Sequence, residues 1–323
     1  MFSKRFIKNK YPILVALAFL IYISTAAFII VFAANAGPAM AHNGGTVDSL
    51  PNVTGLNLET DFTSVDIDNE RLYTGPLVLV NNYYSCRFDG DDLVSVLDNG
   101  SSKYTASDYD VKVNKSIMKS LDNMLSDFYD RTNNKNIMVS SAYRSKELQQ
   151  ELYNEEHTGD NSSSDSSGEE LVAKPGYSEH QTGYAVDFSL LDEEGNISVF
   201  DNEGDYSWIL ENCANYGFIL RYPENKTDIT EIGYETWHYR YVGTPHASYI
   251  MQNDLCLEEY IELLKNYPIT NPLYISDYAL GNWMVYFVPS EGGSQTSVTV
   301  PKNSDYQVYG NNNDGFIISV QLS

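Results

Sequence analysis

Apolar residues follow three different spacings along this chain. Residues 12–34 are apolar almost without a break, interrupted only by Tyr22, Ser24 and Thr25. Such a run is long enough to cross a bilayer as a helix. Ile117, Met118, Leu121, Met124, Leu125, Phe128 and Tyr129 instead recur at helical intervals. That period predicts an amphipathic helix whose apolar stripe packs a core. Residues 257–267 predict another helix and residues 208–216 a short one ending near Gly217. Residues 146–156 predict a polar helix with Ser145 near its N-cap. Alternation of period two, or a short β-rich run, predicts strands at 77–80, 136–141, 183–190, 236–241, 283–288 and 316–320.

Two of these strands put polar residues on one face. In the first, Ala185, Asp187 and Ser189 point one way and Tyr184, Val186 and Phe188 the other. In the second, Thr236, His238 and Arg240 share a face, with Trp237, Tyr239 and Tyr241 behind them. Glu235 has the wrong parity to join His238 on a regular strand, so a strand start or a bulge is expected there. Arg144 falls where the strand at 136–141 gives way to a helix N-terminus, and both features attract carboxylates.

These patterns divide the chain into a cytoplasmic tail at 1–11, an anchor at 12–34, a polar stem at 35–75, a main domain at 76–268 and a small β addition at 269–323. Lys4, Arg5, Lys8 and Lys10 flank the apolar run and keep its leading end cytoplasmic. Small-residue patterns at Ala34-Asn35-Ala36 and Ala39-Met40-Ala41 leave a cleaved signal peptide as the rival to an uncleaved anchor. Either way the rest of the chain is exported. Residues 155–170 are rich in Ser, Asp, Gly and Glu and read as an exposed loop, in which His157 is a solvated side chain.

Charge narrows the partners. The chain carries a formal net charge of -24. All four basic residues of the leader precede the first acidic one, Asp48. The remainder therefore sets 16 of the 20 basic residues against all 44 acidic ones, a net of -28. Such a surface repels phosphate backbones and argues against nucleic-acid binding. Cys86, Cys213 and Cys256 are too few and too far apart for a disulfide framework, although one bridge would be possible.

The chemistry concentrates in two stretches, Ser178-Glu179-His180-Gln181-Thr182-Gly183-Tyr184-Ala185-Val186-Asp187 and Glu235-Thr236-Trp237-His238. His180, Asp187 and His238 offer two imidazoles and a carboxylate, a set that suits Zn2+ and leaves a position for water. Glu235 supplies a separate carboxylate of the kind that serves as general base in a zinc hydrolase. No His-Glu-x-x-His helix exists in the sequence. Of the other histidines, His42 falls in the stem, and His246 reads as structural or as support for the site.

Ser178-x-His180-x2-Gly183-x-Ala185-x-Asp187 followed by Glu235-x-Trp237-His238 resembles the signature of the zinc D-alanyl-D-alanine carboxypeptidases of the vancomycin-resistance, or VanY-like, type. Ser141-Ala142-Tyr143-Arg144-Ser145 resembles that family's Ser-Gly-Tyr-Arg-Ser block, with Ala142 in place of the glycine. The likeness covers roughly residues 77–267. It implies a small α+β domain related to the Hedgehog signalling domain, with the metal on an antiparallel sheet between flanking helices. It implies that His180, Asp187 and His238 hold zinc, Glu235 moves the proton, Arg144 grips the peptide's terminal carboxylate and Ser178 assists there. The implied substrates are peptidoglycan stem peptides, cut at the terminal D-Ala. An L,D-carboxypeptidase acting on tetrapeptide stems, a related endopeptidase and a non-catalytic wall-binding module stand as alternatives.

Overall fold

The computed structural model describes residues 57–158, 173–277 and 281–322. The expected tail and anchor, residues 35–56 of the stem and the loop from residue 159 onward lie outside the described residues. Among those described, no helix is long and apolar enough to cross a membrane.

In chain order, β1 (Phe62–Asp68) is followed by β2 (Leu93–Ser95), β3 (Thr105–Ala106) and β4 (Lys112–Asn114). Helix α1 (Lys115–Thr132) leads to β5 (Ile137–Ser141) and α2 (Lys146–Thr158). Then come β6 (Ala185–Leu191), β7 (Ile197–Val199), α3 (Ser207–Asn212), β8 (Phe218–Leu220) and β9 (His238–Tyr241). Helices α4 (His246–Gln252) and α5 (Leu257–Leu264) precede β10 (Leu273–Asp277), β11 (Gly281–Pro289), β12 (Gln295–Pro301), β13 (Tyr306–Gly310) and β14 (Gly315–Leu322).

Helix α1 forms where the helical stripe predicts it, and both its ends are satisfied. The Asn114 side chain accepts the Ser116 N–H at 3.0 Å, and Asn133 ends the helix in the left-handed region. Its buried face (Ile117, Leu121, Leu125 and Phe128) packs with Val139, Val186, Phe188 and Tyr239 into one core. Burying each such side chain stabilises the fold by about 1.5–3 kcal/mol.

Those four partners belong to a central sheet ordered β3-β5-β6-β9-β8, with β7 beside β6. The sheet is not wholly antiparallel as expected, because β3 runs parallel to β5. The crossover between them contains α1, the kind of connection that parallel pairing requires. With one face of the sheet covered by α1, the opposite face carries Asp187, His238 and Arg240.

Two further expectations need correction. Leu77, Val78, Leu79 and Val80 are buried but form no strand. Their backbone groups are engaged elsewhere. Arg240 donates to the carbonyls of Pro76 and Val78, and the side chain of Asn312 to that of Leu79. The stem reading also fails over its last part, since β1 lies within it and pairs antiparallel with β12 from Phe62↔Pro301 to Asp68↔Gln295.

The β addition is therefore built from both ends of the described chain. Sheet β10-β11-β14-β13 buries Met284, Tyr286, Phe316 and Ile318 against Phe62, Ile67, Val298 and Val300. Its other face, with Trp283, Val285, Phe287 and Ile317, packs on α4, α5, Leu77 and Leu79. His246 joins the two parts. Its Nδ1 lies 2.7 Å from the Tyr260 hydroxyl and its Nε2 3.0 Å from Ser319 Oγ, which makes it structural. All three cysteines are buried and free.

Candidate metal centre

Strands β6 and β9 are antiparallel neighbours with Asp187 directly opposite His238. The third member, His180, sits on a tight 3-10 turn at Glu179–Thr182. Gly183 ends that turn with φ +74°, and a Cβ there would approach Asn114 N and Leu93 to 3.1 Å. The glycine thus lets the chain enter β6 at once and brings His180 over the sheet. One ligand atom from each of His180, Asp187 and His238 lies within 4.8 Å of the others.

Hydrogen bonding selects the ring atoms. His180 Nδ1 is 2.5 Å from the Ala142 carbonyl, which can only accept, so Nδ1 carries the proton and Nε2 offers its lone pair. That Nε2 is 3.2 Å from Asp187 Oδ2. His238 presents Nδ1, 3.1 Å from Asp187 Oδ1. His180 Nε2 and Asp187 Oδ1 are both buried without a hydrogen-bond partner. Buried polar atoms of that kind are costly unless something pairs with them. Two imidazole nitrogens and a carboxylate oxygen, held this close on a buried floor, fit a Zn2+ ion with one coordination position left open.

The electrostatics agree with a cation site. Burial and the Arg144 charge pull His180 down to about 4, which keeps it neutral at pH 7. Burial opposes ionisation of Asp187, but His180 and His238 outweigh it and hold the carboxyl well below its usual range. His238 is pulled down by burial, yet the neighbouring carboxylates of Asp187 and Glu179 push it up to about 9. A site that raises one histidine so far attracts positive charge.

Glu235, Arg144 and Ser178 surround the trio. Glu235 precedes a turn at Thr236 and Trp237, in which the His238 N–H points to the Glu235 carbonyl at 3.4 Å. Strand β9 thus starts only at His238, and the turn resolves the parity conflict by placing Glu235 Oε2 3.5 Å from His238 Nδ1. Burial pushes Glu235 up to about 7, with Asp187 adding to the rise and His238 and Arg144 opposing it. Arg144 follows β5, its N–H donating to the His180 carbonyl. Its Nη2 is 3.9 Å from Asp187 Oδ2, and its Nε has no hydrogen-bond partner. Ser178 is buried ahead of the His180 turn, and its side chain makes no capping bond.

The family model for D-alanyl-D-alanine carboxypeptidase, VanY, matches residues 110–244. Over 258 residues the chain is 31% identical to a D-alanyl-D-alanine carboxypeptidase of Enterococcus faecium, covering 79% of this chain and 78% of that protein. The chain belongs to the VanY family. It is therefore an enzyme with the D-Ala-D-Ala carboxypeptidase or dipeptidase activity of that family. A solved vancomycin-resistance D,D-dipeptidase, VanXYg, in complex with a D-Ala-D-Ala phosphinate analogue, is 29% identical with a TM-score of 0.70. The match covers 80% of this chain and 98% of that one. A bifunctional D-Ala-D-Ala dipeptidase and carboxypeptidase of Enterococcus gallinarum is 45% identical over 98 residues, 29% of this chain and 52% of that protein. In this VanY-family chain the His180, Asp187 and His238 donor set is what suits zinc.

Three residues of the centre, Glu179, Arg221 and Glu258, carry no assigned role in the sequence pattern. Glu179 Oε2 lies 3.5 Å from His238 Nε2, on the far side of the ring from Asp187. Arg221 Nε donates to Glu179 Oε1 at 2.8 Å, and Arg240 Nη1 forms an ion pair with the same oxygen at 2.9 Å. Arg221 also forks onto Glu258 of α5, at 2.8 and 2.6 Å. Glu179 lies inside the signature and was readable there. Arg221 and Glu258 carry no local signal, because an isolated charge in sequence reads as a surface residue.

Proposed function

We propose that this chain is an exported zinc D,D-carboxypeptidase that removes the terminal D-Ala from peptidoglycan stem peptides. The observation that carries the reading is the placement of Glu235 and Arg144 beside the His180–Asp187–His238 trio. Zinc bound at the trio supplies a Lewis acid for the scissile carbonyl and brings the pKa of a bound water to about 7.

The chain's own residues do the rest. Glu235 accepts the proton of the attacking water and returns it to the departing amine. Arg144 pairs with the free carboxylate of the last residue, and Ser178 assists there. An arginine fork fits both carboxylate oxygens, whereas an internal peptide bond presents no such anion, so Arg144 selects exopeptidase cutting. The Ala142 carbonyl holds the His180 imidazole in its orientation. We further infer that residues 12–34 anchor the enzyme in the membrane with its active domain outside.

Mass spectrometry of a muropeptide pentapeptide incubated with the zinc-loaded protein tests this reading. Loss of one alanine, abolished by a chelator, is the expected result. An untouched pentapeptide together with a trimmed tetrapeptide would move the specificity to L,D-carboxypeptidase. Inertness toward both would sink the carboxypeptidase reading and favour an endopeptidase or a wall-binding role.

A further inference from the structure

We propose that Glu179 is a positioning residue that fixes the tautomer of His238. The inference rests on the zinc reading above and adds to it a carboxylate that touches neither substrate nor metal.

Glu179 is wholly buried, and its two oxygens have different partners. Oε1 takes both arginines, Arg221 at 2.8 Å and Arg240 at 2.9 Å. Oε2 faces His238 Nε2 at 3.5 Å, and both atoms are buried without a hydrogen-bond partner. The arginines are held in turn. Arg221 is bidentate to Glu258, and Arg240 donates to the carbonyls of Pro76 and Val78. The buried Glu179 and the partly buried Glu258 balance two buried arginines, so the set is neutral and Glu179 remains a carboxylate.

A neutral imidazole has one N–H. Asp187 Oδ1 and Glu179 Oε2 can both only accept, but with zinc held by Asp187 the single proton of a neutral His238 goes to the Glu179 side, on Nε2. The lone pair then falls on Nδ1, the atom that faces Asp187 Oδ1 at 3.1 Å. His180 is fixed the opposite way, with its proton on Nδ1 by the Ala142 carbonyl. The two ligands therefore use different ring atoms, each selected by an acceptor behind it.

Glu179→Gln separates this role from simple packing. The amide has the same shape, and its oxygen stays with the two arginines because both are donors. Its NH2 group then points at His238 Nε2 and donates to it. That moves the His238 proton to Nδ1, into the ligand position. Zinc affinity is expected to fall about 10- to 100-fold, read by competition with a chromophoric chelator. In parallel, Asn312→Ala removes the Asn312 bonds to the Leu79 and Ser85 carbonyls and loosens the segment over Arg240 without touching His238. Its zinc affinity is expected to match the parent.

The 15N spectrum of histidine-labelled, zinc-loaded parent provides a readout that needs no variant. It should show His238 protonated at Nε2 and ligated through Nδ1, with His180 the reverse. Zinc on His238 Nε2, or equal affinity loss in both variants, would overturn the role of Glu179. A Glu179→Gln chain that binds zinc like the parent would overturn it as well, while leaving the zinc reading intact. A parent that takes up no zinc sinks both.

Discussion

Replacing Glu235 with alanine is expected to leave bound zinc in place and lower kcat by about 10²- to 10⁴-fold, the usual contribution of a positioned general base. The trio of ligand atoms comes from His180, Asp187 and His238, so removing Glu235 takes no ligand away. What disappears is a carboxylate whose Oε2 lies 3.5 Å from His238 Nδ1. Burial pushes that carboxyl up to about 7. A divalent cation at the trio favours its charged form and draws the value down. Glu235 must be ionised to accept a proton, so activity falls as pH drops through its pKa. The parent's kcat profile should show that acidic limb, and the residual activity of the variant should lack it. Metal analysis beside a rate assay checks both halves, and full activity in Glu235→Ala would remove it as the base.

The parts of this centre that were legible in the sequence share a cause. Asp187 and His238 lie on alternating strands, and alternation fixes a face without any knowledge of the partner strand. Antiparallel pairing then set the two opposite each other. Glu235 was legible through its conflict. Its parity was wrong for a strand, and the turn at Thr236 and Trp237 supplies the irregularity that the conflict demanded. Arg221 and Glu258 were not legible, because what identifies them is mutual neutralisation in a buried environment, a contact between residues 37 positions apart.

At residues 62–68 and 77–80 the structure departs from the sequence pattern for opposite reasons. The first stretch is polar overall, with Phe62 and Ile67 its buried residues, so composition outweighed its pattern. Only pairing with β12 makes it a strand, and that partner is more than 220 residues away. The second is strongly apolar, and propensity alone predicts a strand there. Burial is what its side chains needed, and Arg240, Asn311 and Asn312 satisfy its backbone without a ladder. The same contacts tie the C-terminal sheet to the metal centre through Arg240. The β addition is thus part of the fold that carries the site.

Arg144→Ala is expected to cost the enzyme its preference for a free C-terminus. Arg144 Nε is buried without a partner, and Nη2 is 3.9 Å from Asp187, too far for a close ion pair. The guanidinium is therefore available to an incoming anion beside the trio. Truncating one partner of a desolvated charge pair costs about 2–5 kcal/mol. At 1.36 kcal/mol per decade, kcat/KM on peptides with a free carboxylate should fall about 30- to 5,000-fold. Peptides with an amidated end never form the pair, so their slow turnover should change little. Arg144→Lys should fall between the two, because lysine keeps the charge but loses the fork. The decisive quantity is the ratio of kcat/KM for free over amidated substrates. A collapse of that ratio with zinc content unchanged assigns Arg144 to the carboxylate. An equal ratio in variant and parent would leave the exopeptidase preference to another residue.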